Sequence, residues 1–200
     1  MHISDGILDP KICAGGYAVA AVCAGYALYR ADKNDVAKIS VMSAVFFVTS
    51  LIHFRIGPGS VHLVLLGPVG IILGPLCPLA FLTGLLFQAV MFGHGGITTL
   101  GVNTAAFSVS ALLVFAGFKA SRIIVKRDSV LSVVSGIFSA LGVFAAAAIV
   151  LGVIYFSETA FAGIAALFSL SHAILALGEG AVGGIIVHRL LHIKPELLAI

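Results

Sequence analysis

The sequence predicts an all-α membrane protein with about seven transmembrane helices, which form a single integral-membrane domain over residues 1–200. Hydrophobic residues make up 60% of the 200 positions and charged residues only 10%, whereas an ordinary soluble domain carries about 25% charged residues. A membrane span needs about 20 apolar residues, and apolar runs of that order recur along the chain. In so apolar a chain, the net charge of +3 is too small to indicate nucleic-acid binding.

Seven apolar runs are separated by polar segments or by breaks rich in glycine and proline. Asp9-Pro10 predicts the start of the first helix. A break near Pro75 to Pro78 predicts that the third and fourth runs are two helices joined by a tight turn. The predicted spans are residues 12–29, 39–56, 61–76, 78–92, 105–118, a stretch within 130–156, and 164–187.

Basic residues decide between the two orientations that seven spans allow, because lysine and arginine are enriched in cytoplasmic loops. With the N-terminus outside, only Lys11 and Arg55 of the 11 basic residues fall on the outer side. The others are Arg30, Lys33, Lys38, Lys119, Arg122, Lys126, Arg127, Arg189 and Lys194. We therefore expect a multi-pass protein of the cell (inner) membrane, with the N-terminus outside and the C-terminus cytoplasmic.

The polar start of the chain, Met1 to Gly6, predicts a metal site. The terminal amine, the His2 backbone nitrogen and His2 Nδ1 can close two chelate rings around one ion, which leaves a fourth position open in the plane. Planar nitrogen coordination suits Ni²⁺ or Cu²⁺. The site requires an uncleaved Met1, and the acidic Asp5 and Asp9 do not match the basic start of a signal peptide.

His62 is the candidate for the fourth nitrogen. It follows the break Gly57-Pro58-Gly59 at the predicted outer start of a span, where a short loop would present its imidazole inward. The alternative for His62 is an interfacial histidine that satisfies a backbone carbonyl. His53, a turn from the outer end of its span, is either a hydrogen-bonded helix histidine or a backup ligand or supporting group.

Residues 93–103 are rich in glycine, hydroxyl groups and an amide, in a chain that otherwise avoids polar groups. Such a loop can pack closely over a metal site and orient its ligands by hydrogen bonds. The candidates for this role are His94, Thr98, Thr99 and Asn103. The alternative is a connecting or re-entrant loop whose side chains satisfy its own backbone. The glycine spacing matches no nucleotide-binding motif.

His172 and Glu179 share a face of the last predicted span, because they are seven residues apart. An ionisable residue inside a span indicates function by default, since it is costly to bury. Glu179 lies between Gly178 and Gly180, where a neighbouring helix can come close. We interpret the two residues as a candidate intramembrane pair or, equally, as structural hydrogen-bonding groups between helices.

With these residues in view, nearly the whole chain resembles the CbiM/NikM family, the substrate-binding S components of energy-coupling factor (ECF) transporters for cobalt and nickel. The resemblance implies that the metal is held by the terminal amine of Met1, the backbone and imidazole nitrogens of His2, and His62. The planar geometry favours nickel over cobalt without separating them. The stretches that carry the resemblance are residues 1–6, 59–63, 73–75, 93–103, 171–172 and 178–180.

The resemblance also implies partners and a transported substrate. Family members associate with a transmembrane coupling (T) subunit, cytoplasmic ATPase subunits and often a small accessory membrane subunit, and they are thought to tilt in the membrane to deliver the ion. Ni²⁺ or Co²⁺ would be the transported substrate. No bound cofactor, enzymatic activity or nucleic-acid partner is expected.

Two other function classes are compatible with a polytopic chain. An intramembrane metalloenzyme needs an HExxH-like helix or a catalytic carboxylate beside the ligands, and the sequence places neither at the outer site. An S component for an organic micronutrient such as a vitamin needs a large pocket lined by aromatic residues. The chain has no tryptophan, and its histidines cluster on the predicted outer side.

Overall fold

The structure is a computed structural model that describes residues 2–56, 59–157 and 162–198, with side chains described in these ranges except at 53–56, 59–61 and 162–167. The described residues form a helical bundle with one short hairpin. The helices are α1 (Pro10–Arg30), α2 (Asp35–Leu51), α3 (Leu66–Leu73), α4 (Cys77–Phe92), α5 (Leu100–Ile124), α6 (Asp128–Tyr155) and α7 (Ala162–Ile193). The strands are β1 (His53–Ile56) and β2 (Gly59–His62), and short 3-10 turns occupy Gly74–Leu76 and Pro195–Leu197.

Helix α1 begins where the sequence predicts. Pro10 occupies the first turn, where its missing N–H costs no hydrogen bond. Asp9 accepts a hydrogen bond from the backbone nitrogen of Lys11 at 2.7 Å. A carboxylate at this position satisfies an otherwise unpaired N–H group and interacts favourably with the helix dipole.

Within the described residues, five helical segments are long and apolar enough to cross a membrane. They are Pro10–Arg30, Leu66–Phe92, Leu100–Ile124, Asp128–Tyr155 and Phe168–Ile193. Helix α2 has 17 residues, which at about 1.5 Å per residue gives about 25 Å, slightly less than the hydrocarbon core of about 30 Å. The predominantly helical, multi-pass membrane fold is therefore confirmed, whereas the count of seven spans and the orientation of the termini remain predictions.

The third and fourth predicted runs form α3 and α4, and the 3-10 turn Gly74–Leu76 joins them where the proline break predicts a turn. Helix α3 has only 8 residues, about 12 Å in length, so it does not cross a membrane by itself. All of its residues are buried. The run 61–76 is therefore a strand, a turn and a short buried helix instead of the predicted full span.

The run 39–56 also ends differently from the prediction, because α2 stops at Leu51. Residues His53–Ile56 instead pair antiparallel with Gly59–His62, and His53 lies opposite His62 in the register. Aromatic and β-branched residues in this stretch favour a strand, and the Gly-Pro-Gly sequence that follows does not continue a helix. The hairpin leads the chain through His62 to the start of α3.

Helices α6 and α7 pack through glycine. A Cβ atom added at Gly136 would lie 2.6 Å from the carbonyl oxygen of Gly180. Ser139 lies against both Gly67 and Gly183, so α3 packs at the same place. Small residues allow membrane helices to approach to backbone contact, and this contact fixes α7 against α6 and α3.

Substitution of Gly136 by alanine should weaken the α6–α7 contact, because the new Cβ would fall on the Gly180 carbonyl. We expect a loss of roughly 1–3 kcal/mol in unfolding free energy, measured by denaturation in detergent micelles. Gly152→Ala is the matched control in the same helix, since a Cβ there meets no described atom within 4 Å. Equal effects of the two substitutions would contradict the close contact.

Candidate metal centre

The first residues of the chain are tied to the start of α5 through Ile3. The Ile3 backbone nitrogen donates to Asn103 Oδ1 at 2.9 Å, and Asn103 Nδ2 donates to the Ile3 carbonyl at 3.0 Å. Thr99 Oγ1 donates to the same carbonyl at 2.7 Å. The Asn103 amide thus satisfies both backbone groups of Ile3, as a neighbouring strand would, and fixes the residue next to His2.

Asp5 makes a second attachment, to the loop that precedes α5. Its carboxylate accepts from Thr98 Oγ1 at 2.5 Å and from the backbone nitrogens of Thr98 at 3.0 Å and Ile97 at 3.2 Å. The Thr98 hydroxyl and these backbone donors lower the pKa of Asp5 below its ordinary value. No sequence motif assigns Asp5 to the site; the available signal was the hydroxyl-rich loop, whose donors need an acceptor.

Two glycines of this loop leave room for the N-terminal segment. Gly95 has a φ of +76°, and a Cβ there would lie 3.3 Å from His2 Cβ and from Asn103 Nδ2. A Cβ at Gly96 would lie 1.9 Å from Asp5 Oδ1. The predicted close packing of the loop over the N-terminus is therefore present, and it excludes side chains at both positions.

His2 and His62 meet at the end of this segment. Their rings are stacked with centroids 4.7 Å apart, and their Nε2 atoms are 2.9 Å apart. His62 is 4% exposed, and its Nδ1 lies 3.0 Å from the Leu63 carbonyl. Because a carbonyl only accepts, His62 Nδ1 carries the proton and Nε2 carries the lone pair.

The His2 side chain is half-buried between apolar and polar groups. Burial lowers its pKa well below the ordinary value, and the positive charge at the chain terminus and the charges of His62 and His94 lower the pKa further. The imidazole is therefore neutral at pH 7, the form that binds a metal. Its ring packs against Phe107, with centroids 5.6 Å apart. Among the described residues, nothing hydrogen bonds to His2 Nδ1.

Gln88 is a further polar group at this site that sequence reasoning missed. It is completely buried, and neither end of its amide forms a hydrogen bond within the described part of the chain. Its side chain lies close enough to the His2 ring to raise the pKa of His2 against the larger effects that lower it. A single glutamine in the apolar run 78–92 was the available signal.

The remaining outer candidates differ in what the structure shows. His94 is half-buried and its charge acts on His2, while Thr98, Thr99 and Asn103 bond to the N-terminal segment as described above. The predicted loop is shorter than 93–103, because α5 begins at Leu100. Met1 lies outside the described residues, and so does the side chain of His53.

The proposed intramembrane pair is not formed. His172 Nδ1 lies 2.6 Å from the Phe168 carbonyl and its ring stacks on Phe168. Glu179, completely buried, instead accepts hydrogen bonds from the backbone nitrogens of Val64 and Leu65. Seven-residue spacing aligns the two side chains along one helix, but Glu179 bonds to backbone outside α7, which periodicity within the helix does not reveal. His172 contacts the residue one turn before it. His172 Nε2 and Glu179 Oε2 have no hydrogen bond among the described residues.

The described residues contain no cluster of three or more histidine, cysteine or acidic side chains able to hold a metal. Two neutral imidazoles alone would bind a divalent ion weakly. A stronger site needs further ligands, and the bonds of Ile3 to Asn103 hold the adjoining main chain next to the His2 ring.

A family model described as "Cobalt uptake substrate-specific transmembrane region" matches residues 2–197. The chain belongs to the CbiM family. This confirms the family resemblance drawn from the N-terminal, His62 and loop motifs. The chain is a multi-pass membrane protein of a transport family.

Relatives of this CbiM-family chain carry metal-transport names. A putative metal transport protein of Haemophilus influenzae is 36% identical over 113 residues, which are 56% of this chain and 55% of the relative. This match thus covers about half of either protein. A putative fused nickel transport protein NikMN of Archaeoglobus fulgidus is 29% identical over 99% of this chain and 68% of the relative.

The fold also matches a solved structure. A crystal structure of a transition metal transporter superposes on the chain with a TM-score of 0.82, over 98% of this chain and 94% of that one, at 22% identity. The overall fold of the bundle is therefore shared with that transporter.

Substitution of Asn103 by alanine should release the first residues of the chain, because both backbone groups of Ile3 lose a partner. We expect faster amide hydrogen exchange at Ile3 and a loss of roughly 1–3 kcal/mol in unfolding free energy, measured by exchange mass spectrometry and denaturation. Asn34→Ala is the control, since Asn34 caps α2 without a side-chain hydrogen bond. Unchanged exchange at Ile3 in the Asn103 variant would refute the clamp.

Proposed function

We propose that the chain is the substrate-specific membrane subunit of an ECF-type ABC importer, which binds Ni²⁺ or Co²⁺ at the extracellular side through its own N-terminus. The observation that carries this proposal is the contact of the buried His62 imidazole with the half-buried His2 imidazole, whose Nε2 atoms are 2.9 Å apart. A histidine at the second position can be brought there only by ordering the chain end. Asn103, Thr99 and Asp5 supply the bonds that order it.

The proposed ligands are the Met1 amine, the His2 backbone nitrogen, His2 Nδ1 and His62 Nε2. Two features of the site support this set. His2 Nδ1 is buried without a hydrogen bond among the described residues, and His62 carries its proton on Nδ1, which leaves Nε2 for the ion. Here the two Nε2 atoms face each other, so binding in this mode turns the His2 ring to bring Nδ1 into the plane.

The donor set favours borderline transition metals over hard cations. Imidazole and amide nitrogen suit Ni²⁺, Cu²⁺ and Co²⁺, whereas Mg²⁺ and Ca²⁺ take oxygen ligands. The family description names cobalt and the Archaeoglobus relative is named for nickel. Planar coordination by four nitrogens makes nickel the first ion to test and cobalt the second.

We further propose that the seven helices, of which α3 is too short to cross a membrane alone, place the His2–His62 site outside and the C-terminus in the cytoplasm. The asymmetry of basic residues supports this orientation. The proposed partners are a transmembrane coupling subunit, cytoplasmic ATPase subunits and a small accessory membrane subunit. The chain binds and delivers the ion, and the ATPase partners supply the energy.

One added residue at the N-terminus should abolish nickel binding, because the terminal amine becomes a peptide nitrogen. We expect affinity to fall by more than about 100-fold, beyond the range typical of groups that only support a ligand, measured by isothermal titration calorimetry in detergent. A formyl group retained on Met1 should act in the same way. One residue added after Ile200 is the control, and equal affinity of the two extended proteins would overturn the terminal-amine ligand.

Substitution of His62 by alanine should also reduce nickel affinity by more than about 100-fold, since it removes one of four ligands rather than a supporting group. His188→Ala is the matched control. His188 lies in α7, with Nδ1 3.2 Å from Ser132 Oγ of α6, far along the chain from the proposed ligands. Comparable losses in the two variants, measured by the same titration, would reject the proposed site.

A further inference from the structure

Glu179 occupies an unusual place in the bundle, because it is a completely buried carboxylate in the middle of α7. Its Oε1 atom accepts hydrogen bonds from the backbone nitrogens of Val64 and, at 2.7 Å, of Leu65. These residues belong to the turn between β2 and α3. Glu179 therefore supplies the partner that this non-helical backbone needs inside a membrane bundle.

The turn that Glu179 holds is strained. Leu65 has φ +54° and ψ +36°. In the part of the chain that the structure describes, no other residue except glycine has a positive φ. An L-residue adopts this left-handed conformation rarely and keeps it only where surrounding contacts impose it. A carboxylate that binds two consecutive N–H groups is a strong contact of that kind.

The same turn orients His62. The carbonyl of Leu63 and the N–H of Val64 are the two ends of a single peptide group, which is planar and rigid. Its N–H donates to Glu179, and its carbonyl accepts from His62 Nδ1. One rigid unit thus links the carboxylate to the imidazole.

We propose that Glu179 is a positioning residue for metal binding: through the peptide group between Leu63 and Val64, it sets the orientation and tautomer of His62. This proposal rests on the proposed metal-binding function. The carboxylate polarises the peptide, which strengthens the carbonyl as an acceptor for the Nδ1 proton. Nε2 is then kept as the lone-pair nitrogen that faces His2.

Glu179 also connects the site to the helix pair behind it. The next residue, Gly180, packs on Gly136 of α6, so the position of the carboxylate is fixed by the α6–α7 contact. A displacement of α7 relative to β2 would shift the Leu63–Val64 peptide and, with it, the His62 ring.

The test measures nickel affinity by calorimetry and the visible absorption spectrum of the nickel complex, with the full chain in detergent and its native N-terminus. Glu179→Ala should weaken binding by roughly 10- to 100-fold, the range typical of groups that orient a ligand. The spectrum of its nickel complex should shift toward that of His62→Ala, because a misplaced His62 changes the coordination of the ion. A smaller folded fraction alone would weaken the signal without shifting it. Glu179→Gln, which keeps an oxygen acceptor but no charge, should lose only several-fold, since neutral hydrogen bonds are about half as strong.

Glu196→Ala removes an exposed carboxylate and should match the wild type. Wild-type affinity and spectrum in Glu179→Ala would overturn the positioning role while leaving the proposed function intact. Absence of nickel binding by the wild-type protein would instead overturn the proposed function. The two failures are therefore distinguishable in one experiment.

Leu65→Gly provides a second, independent variant, because glycine adopts the left-handed conformation at no steric cost. Added to Glu179→Ala, it should recover part of the lost affinity. If size-exclusion chromatography shows that Glu179→Ala does not fold, the comparison of Glu179→Gln with Glu179→Gln/Leu65→Gly decides. Several-fold weaker binding in the first and recovery in the second support the proposal, and wild-type affinity in Glu179→Gln overturns it.

Discussion

The hydrogen bonds between the first residues of the chain and the start of α5 are the constraint on which the candidate metal centre depends. A chain end is normally mobile, because ordering each residue costs roughly 1–2 kcal/mol. Here Asn103 and Thr99 satisfy the backbone of Ile3, and Asp5 bonds to the adjoining loop. His2 is therefore brought against the buried His62 by groups that are not themselves proposed ligands.

The segment that carries His62 also contains main-chain groups that need hydrogen-bond partners, and these partners come from another helix. Non-helical backbone in a membrane bundle must find its hydrogen-bond partners in the protein. Val64 and Leu65 find theirs in Glu179, a carboxylate from the last helix. The amide of Asn103 on one side of the site and the carboxylate of Glu179 on the other thus substitute for secondary structure, which explains why a chain with 10% charged residues retains a carboxylate in mid-span.

The helices could be predicted, because apolar length is a property of local sequence. The residues alone left His62 open between a metal ligand and an interfacial histidine, and the family resemblance joined it to His2. Asn103 could be identified as a candidate because an amide side chain stands out in so apolar a sequence. The hairpin and the shortness of α3 could not be predicted, since an apolar run does not reveal where its backbone leaves the helix. The partner of Glu179 lies 114 residues away in the chain at Leu65, and helical periodicity suggested His172 because it reports only neighbours on the same helix.

The chemistry of the site follows from which groups are already occupied. The carboxylate oxygens of Asp5 accept hydrogen bonds from the loop before α5, so these oxygens are already engaged. The Leu63 carbonyl accepts a hydrogen bond from His62 Nδ1, and burial keeps His2 neutral by lowering its pKa. What remains for an incoming cation is mainly nitrogen lone pairs, in a surround that includes the Phe107 ring and the buried Gln88 amide. Such a surround penalises ions that hold their hydration shell tightly, as Mg²⁺ does, and favours ions that exchange water for nitrogen.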